Sequence, residues 1–373
     1  MKIGLYKKFT AAEEVKKGFK SLGHTVVEFT HTDQLQKGQV DFLLDINYHA
    51  EISDLAQKLD LPMATWSFDS GIRLALKDRP ILSNEAFFIF NSRDLDYIKE
   101  RTEKAWFVPF SAGDDFIKEV NPNASGVLSI MNSYDDVIVE ANANFQQSLN
   151  SIQNPDLRAA FDLIRKLLDA TVDQHIDNFT EDKFESILQN LIDSCGVDPF
   201  EFFPGSRDKL VHPYCQVLSS MQRKVLISEL SKVCSLSVYG DDFWRNVNGI
   251  NFKGSAPYAN LSDLYNSAAI NINLTQIQGL GSTPQRIMHV LASGGFLLTN
   301  PCMEEEPVFQ AGVHYDTFCS YSELKDKVVF YLENPEKRLE IARQGHEEFI
   351  ANHTMRHRCE FILERMKLIL ETL

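Results

Sequence analysis

The chain has 373 residues, enough for about two domains at ~150 residues each. With 44% hydrophobic and 24% charged residues, it reads as a globular protein able to bury two sizeable cores. A formal net charge of -15, with no Lys/Arg run to offset it, disfavours a nucleic-acid backbone as partner. Cys195, Cys215, Cys234, Cys302, Cys319 and Cys359 form no CxxC pair, which argues against a disulfide framework and a structural zinc site. A reducing, cytoplasmic setting is the expectation. The opening MKIGLY is strand-like and lacks the apolar run of a signal peptide, and no window of ~20 uncharged apolar residues suggests a membrane span.

In chain order, Lys2–Tyr6 reads as a strand and Ala11–Leu22 as an amphipathic helix with Val15, Phe19 and Leu22 inward. After the turn at Gly23-His24, Thr25–Phe29 completes a βαβ opening of a parallel sheet. Strands follow at Phe42–Asp45, Pro62–Trp66, Phe87–Asn91 and Ala105–Val108, with helices at Ile52–Leu59 and Asp94–Arg101. This alternation predicts a doubly wound α/β domain of about 120 residues.

Ligands of such sheets sit beyond the carboxyl ends of the strands. The polar residues there are Asp45, Asn47 and His49 after the third strand, and Trp66, Ser67 and Asp69 after the fourth. Asp69 is the favoured acid/base candidate, because a carboxylate beside an indole on a strand-end loop can have a raised pKa. Equally, Asp69 could cap the next helix and His49 could be an ordinary surface residue.

Asn121–Ser125 (NPNAS) is turn-rich and marks a domain boundary, with Val127–Met131 as the next strand. From about Glu140 to Val233 the pattern is helical, as in the repeat of Leu157, Phe161, Ile164, Leu168 and Val172. This block reads as an insertion, and PFEFFPGS (Pro199–Ser206) within it is a candidate partner contact. The sheet resumes at Leu236–Tyr239, with Phe252–Gly254 an edge strand and Leu261–Ala268 a helix.

Asn271–Asn300 then reads as strand, loop, helix, tight turn, strand. Its loop carries Gly279, Gly281, Ser282 and Thr283. Pro284 suits a first helical turn, and Gly294-Gly295 tolerates the positive φ of a helix stop. Such a unit aims backbone N–H groups and a positive dipole end above the strand edge, where Arg286 adds a fixed charge. A phosphorylated ligand fits, although any αβ crossover has such a loop. Helices at Tyr321–Leu332, Pro335–Ile350 and Arg356–Leu373 close the chain. His353 and His357 lie four apart as two metal ligands would, but no third ligand is near them in sequence.

FKGSAPYANLSDLYNSAAININLT, followed by TPQRIMHVLASGGFLLTN, resembles the C-terminal half of the group-1 glycosyltransferases, and more narrowly the spore-coat-maturation (CgeB-like) branch. The resemblance is good over Tyr239–Arg358 and weaker over Met1–Phe116, where LPMATWSFDSG carries it. It implies a GT-B fold: two Rossmann-like domains facing a cleft, here residues 1–122 and 123–355, with a helical insertion at about 140–233. Residues 356–373 form a C-terminal helix free to pack back on either domain. It also implies a nucleotide-sugar donor of the UDP type, held mainly by the C-terminal domain.

By that likeness Tyr239 and Gly240 lie near the donor phosphates, and Lys253, Gly254 and the following serine near the base. Ser282, Thr283, Gln285 and Arg286 hold the diphosphate, with no bound metal or other cofactor. Asp45, Asn47, His49 and Trp66 fall on the acceptor side. Where relatives carry carboxylates toward the ribose, this chain has His289 and Gly281. Three readings therefore stand: a sugar transferase with an unidentified glycan, protein or small-molecule acceptor; a nucleotide-sugar epimerase, which needs several converging carboxylates; and an inactive scaffold that binds a protein.

Overall fold

The structure is a computed structural model that describes residues 1–8, 11–68, 72–135, 219–276, 282–301 and 308–372, with isolated positions between 135 and 219. The first lobe is a sheet of six parallel strands in the order β2-β1-β3-β4-β5-β6. They are β1 (Lys2–Tyr6), β2 (Thr25–Phe29), β3 (Phe42–Ile46), β4 (Met63–Trp66), β5 (Glu85–Ile89) and β6 (Ala105–Phe107). Helices α1 (Ala12–Ser21), α2 (Ala50–Leu59), α3 (Ile72–Leu76) and α4 (Ser92–Lys99) link them. Every residue of β3, β4 and β5 is buried. That is why these strands read as continuous apolar runs: helices cover both faces of a parallel sheet.

The second lobe repeats the plan. Strands β7 (Val127–Ile130), β8 (Leu236–Tyr239), β9 (Ile250–Phe252), β10 (Ile270–Asn273), β11 (Leu297–Thr299) and β12 (Asp316–Thr317) lie in the order β12-β11-β10-β7-β8-β9. All pairings are parallel. Its helices are a run at residues 219–230, α5 (Leu261–Ser267), α6 (Gln285–Ala292), α7 (Tyr321–Glu333) and α8 (Pro335–Asn352). Most of the anticipated helical insertion, including Pro199–Ser206, lies outside the described residues.

Strand β9 runs Ile250–Phe252, two residues ahead of the Phe252–Gly254 read from the sequence. Two further strands differ from the sequence reading, and each holds a buried carboxylate. Strand β5 starts two residues early, at Glu85, whose oxygens accept from Ser53 Oγ at 2.6 Å and Leu82 N at 2.8 Å. The short β12 holds Asp316, which accepts from Tyr331 Oη at 2.7 Å and Lys327 Nζ at 3.1 Å. A carboxylate can enter a sheet only when its oxygens are partnered, and composition does not reveal the partners.

The segment between the sheets is strapped to the second lobe. Lys118 N donates to Ala292 O at 3.1 Å, Ser262 Oγ to Phe116 O at 3.0 Å, and Ser125 N to Ser267 O at 2.9 Å. Gly294, at φ 65°, is required there, since a Cβ would stand 2.8 Å from Lys118 O. The last helix, α9 (Met355–Thr372), crosses back onto α1, where a Cβ on Gly18 would meet Cys359 Sγ at 2.7 Å. None of the helices, among the described residues, is long and apolar enough to cross a membrane.

Candidate functional site

The order of the second sheet places β7 and β10 side by side, while their chain continuations leave in opposite directions. An open α/β sheet forms its crevice at such a switch point. A cavity of about 810 Å³ lies there, lined by Met131 and Asn132 after β7, Leu274 and Thr275 after β10, and Gln285 and Arg286 of α6. The first lobe closes its other side with Phe68, Phe90 and Phe110.

Helix α6 begins at Gln285, and Pro284 takes the N-cap position with φ -62° and ψ 145° and no side-chain cap. Proline therefore stands one residue before the first turn in which the sequence placed it. Arg286 Nη1 donates to Asn273 Oδ1 at 3.1 Å. Asn273 is itself oriented through Nδ2, which donates to Thr275 Oγ1 at 3.1 Å and Thr299 Oγ1 at 2.9 Å. The guanidinium is thus aimed by the end of β10. Ser282 and Thr283, both buried, lead into the helix. Gly240, after β8, also lines the cavity, and its missing side chain matters: a Cβ would stand 2.2 Å from Met131 O.

A second cation was missed in the sequence. Arg223 is buried, with Nη1 donating to Asn132 O at 2.8 Å and Nη2 to Leu274 O at 3.3 Å. Its guanidinium lies 4.7 Å from the Tyr134 ring centroid, and its Nε is buried without a partner. Burial pulls its pKa down to about 10, and the charge of Arg286 acts in the same direction. A signal was available, because Arg223 shares the helical face of the buried Leu226, Ile227 and Leu230. An arginine on an apolar face is rarely there for packing alone. Among the described residues, Arg223 and Arg286 are the only Lys, Arg, Asp or Glu side chains that line the cavity.

His289 lines the cavity one turn beyond Arg286. Its ring stacks on Phe116 at 3.9 Å and 10°, and Tyr258 meets it edge-on at 5.9 Å. The ring is 5% exposed and its Nε2 is buried without a partner. Burial, and then the charge of Arg286, lowers its pKa to about 3, so the imidazole is neutral. Next to this stack, Tyr258 Oη donates to Glu14 of α1, and Glu14 also accepts from Gly113 N at 2.9 Å. Burial raises the Glu14 carboxyl to about 7.

Several expected site residues are placed elsewhere. The exposed Lys253 and the half-buried Gly254 and Tyr239 do not line the cavity, although Gly254 O accepts from Gly240 N at 3.0 Å and the adjacent Ser255 and Ala256 do line it. Nor do Asp45, Asn47, His49 or Trp66 line it. Trp66 is fully buried and its indole donates to Val108 O at 3.2 Å, so it is a core residue. Asp45 is 0% exposed and is consumed by His49, whose Nδ1 lies at 2.8 Å. The bond to Asp45 raises the His49 pKa. Asn47, at φ 72°, accepts from Phe68 N at 2.5 Å and so shapes the strand-end loop.

Asp69, Gly279 and Gly281 lie outside the described residues. His353 Nε2 lies 3.1 Å from Glu348 Oε1 and His357 Nδ1 lies 2.8 Å from Thr354 Oγ1. No group of three or more metal-ligating side chains occurs among the described residues.

Residues 221–364 match a protein-family model described as "Glycosyl transferase-like". No curated protein matches the chain in sequence. Solved structures match it along nearly its whole length. AviGT4, a glycosyltransferase involved in Avilamycin A biosynthesis, has a TM-score of 0.55 at 9% identity, covering 100% of this chain and 99% of its own. T4 phage BGT in complex with its UDP-glucose substrate has a TM-score of 0.52 at 9% identity, covering 98% and 99%. Anabaena Alr3699/HepE in complex with UDP and glucose has a TM-score of 0.51 at 10% identity, with the same coverage. At such identities the likeness is one of fold, and the fold is GT-B.

Proposed function

We propose that this chain is a metal-independent glycosyltransferase, of the spore-coat-maturation-like branch, that moves a sugar from a UDP-type nucleotide-sugar to an acceptor hydroxyl. The observation that carries this reading is the cavity's charge. In a chain of net charge -15, two arginines and no carboxylate line it among the described residues. The N-terminus of α6 points the same way, and its dipole adds to the attraction for an anion.

As the bond from the anomeric carbon to the donor phosphate breaks, the electron pair goes to the departing diphosphate. Arg286, held by Asn273, and Arg223, held by the ends of β7 and β10, face that growing charge inside a partly enclosed cavity. Groups fixed in this way stabilise the transition state more than the ground state, and they need no reorganisation as the reaction proceeds. Two guanidinium groups supply the neutralisation that a divalent ion would otherwise give.

UDP as the nucleotide agrees with the neighbours solved with UDP-glucose and with UDP and glucose. An epimerase needs converging carboxylates, and none lines the cavity among the described residues. A cytoplasmic location and the absence of a nucleic-acid partner complete the reading. Calorimetry with UDP, GDP, ADP and CDP, in buffer containing a chelator, tests it. UDP should bind with release of heat, and Arg286→Ala should weaken it. Failure of all four diphosphates to bind would leave a scaffold in its place.

A further inference from the structure

The cavity is divided by chemistry as well as by lobe. Both of its described cationic groups, Arg223 and Arg286, come from the second lobe. The first lobe contributes three lining residues among those described, and all are phenylalanine: Phe68, Phe90 and Phe110. They stand just beyond β4, β5 and β6, at the strand edge where a parallel sheet presents its ligand.

The three rings brace one another. Phe110 meets Phe68 edge-on at 5.1 Å and lies 4.7 Å from Phe90. Trp66 stands behind Phe68 at 4.8 Å and 88°, and Asn47 fixes the Phe68 backbone. Each ring is 6–7% exposed, so what shows is a narrow aromatic surface on a rigid backing.

We propose that this wall is the acceptor subsite, and that it takes a hydroxyl borne on a flat, uncharged aromatic ring, of the phenol class. The inference rests on reading the second lobe as the donor side. Among the described residues the wall offers a sugar only phenylalanine rings, which would leave its hydroxyls unpartnered, at about 1–3 kcal/mol each. A nucleic-acid strand would need cations there, and the wall has none among the described residues. A flat ring finds edge-to-face and offset partners in all three phenylalanines.

The acceptor's acidity fits as well. A phenol ionises near pH 10, far more readily than a sugar hydroxyl. No carboxylate base is then required of the wall. The phenolic proton passes to water and the oxygen bonds to the anomeric carbon. The bond from that carbon to the diphosphate breaks, with its electron pair left on the diphosphate.

The full chain, saturated with UDP and then without it, is titrated with umbelliferone, methyl β-glucoside and a short DNA duplex. Binding is followed by saturation-transfer NMR. Umbelliferone should bind, and Phe90→Leu and Phe110→Leu should each weaken it by about 3- to 10-fold, since leucine keeps the bulk but not the ring face. UDP affinity, read separately by calorimetry, should stay within about 2-fold. Two variants are used so that either ring carries the readout if one chain fails to fold. The proposal is overturned by preference for the glucoside or the duplex, by no umbelliferone binding in either condition, or by binding indifferent to both substitutions. Loss of UDP binding alone, with umbelliferone still held by the phenylalanines, sinks the donor reading and with it the acceptor role, and leaves the wall as an aromatic-binding site.

Discussion

Asn91 of the first lobe and Ser282 of the second pair their backbones in an isolated antiparallel bridge. The same Asn91 caps α4, its Oδ1 accepting from Asp94 N at 2.7 Å, while its Nδ2 donates to Asp94 Oδ2 at 2.8 Å. Asp94 is in turn held by Arg73 Nε at 2.7 Å. One buried asparagine therefore ties a helix end of one lobe to the loop that leads into α6 of the other.

Replacing Asn91 with alanine removes the cap but not the backbone bridge. The expected cost is ~1 kcal/mol, the usual value of a lost N-cap. Thermal unfolding should show a lower midpoint. UDP affinity should fall as well, because the Asn91 backbone that pairs with Ser282 is no longer fixed by the cap. A variant with unchanged midpoint and affinity would show that Asn91 fixes neither.

The two arginines should act as a unit. Arg286→Ala is expected to lower UDP affinity by ~1.5–3 kcal/mol, the scale of a charge-assisted hydrogen bond. Arg223→Ala should have a loss of similar size. Because both face one cavity, the double variant should lose less than the sum, with a coupling of ~0.5–3 kcal/mol. Calorimetry on the four chains checks this, and strict additivity would place the two groups on separate ligands or on none.

Acid should destabilise the chain through His289. The folded-state pKa of about 3 lies below the ordinary 6.5, so the unfolded chain takes up the proton first. The stability tied to this group is fully present above pH 6.5 and is lost as pH falls through the interval toward 3. The whole loss is on the order of 5 kcal/mol. His289→Phe keeps a ring on Phe116 and cannot titrate. Urea unfolding at pH 7.5, 5.5 and 4 should show a shallower decline for the variant, and parallel curves would contradict the assignment.

Glu14 works with the opposite sign. Its folded-state pKa, raised from 4.5 to about 7, makes its contribution fully present below pH 4.5 and lost as pH rises through 7. That loss is on the order of 3 kcal/mol. Glu14→Gln keeps an acceptor for Gly113 N and a polar group for Tyr258. The variant should unfold at the same temperature as the parent at pH 4 and at a higher one at pH 8. A variant that is less stable at pH 8 would mean that the charged carboxylate is what holds Tyr258.

Most strands were legible because a parallel strand buries both faces and so reads as a short apolar run. Two of the exceptions, at Glu85 and Asp316, come from carboxylates whose side-chain partners are distant in sequence. The start of α6 and Arg286 were legible from proline, glycine and helical spacing within one short stretch. The first-lobe residues that line the cavity were not. Trp66 and Phe68 are two residues apart, yet the indole is fully buried while the phenylalanine lines the cavity. Past a strand end the alternation of faces no longer holds, and sequence spacing carries no direction.

By itself the sequence determined two doubly wound parallel sheets and a positively polarised helix start bearing Arg286, because hydrophobic period and helix punctuation are local properties of the chain. Only the tertiary structure decided which groups share the cavity with Arg286. Arg223 reaches it because strand order sets β7 beside β10. The phenylalanines reach it because the two lobes dock with their strand ends facing one space. Contacts between segments so far apart in the chain are set by topology and packing, and neither leaves a periodic trace.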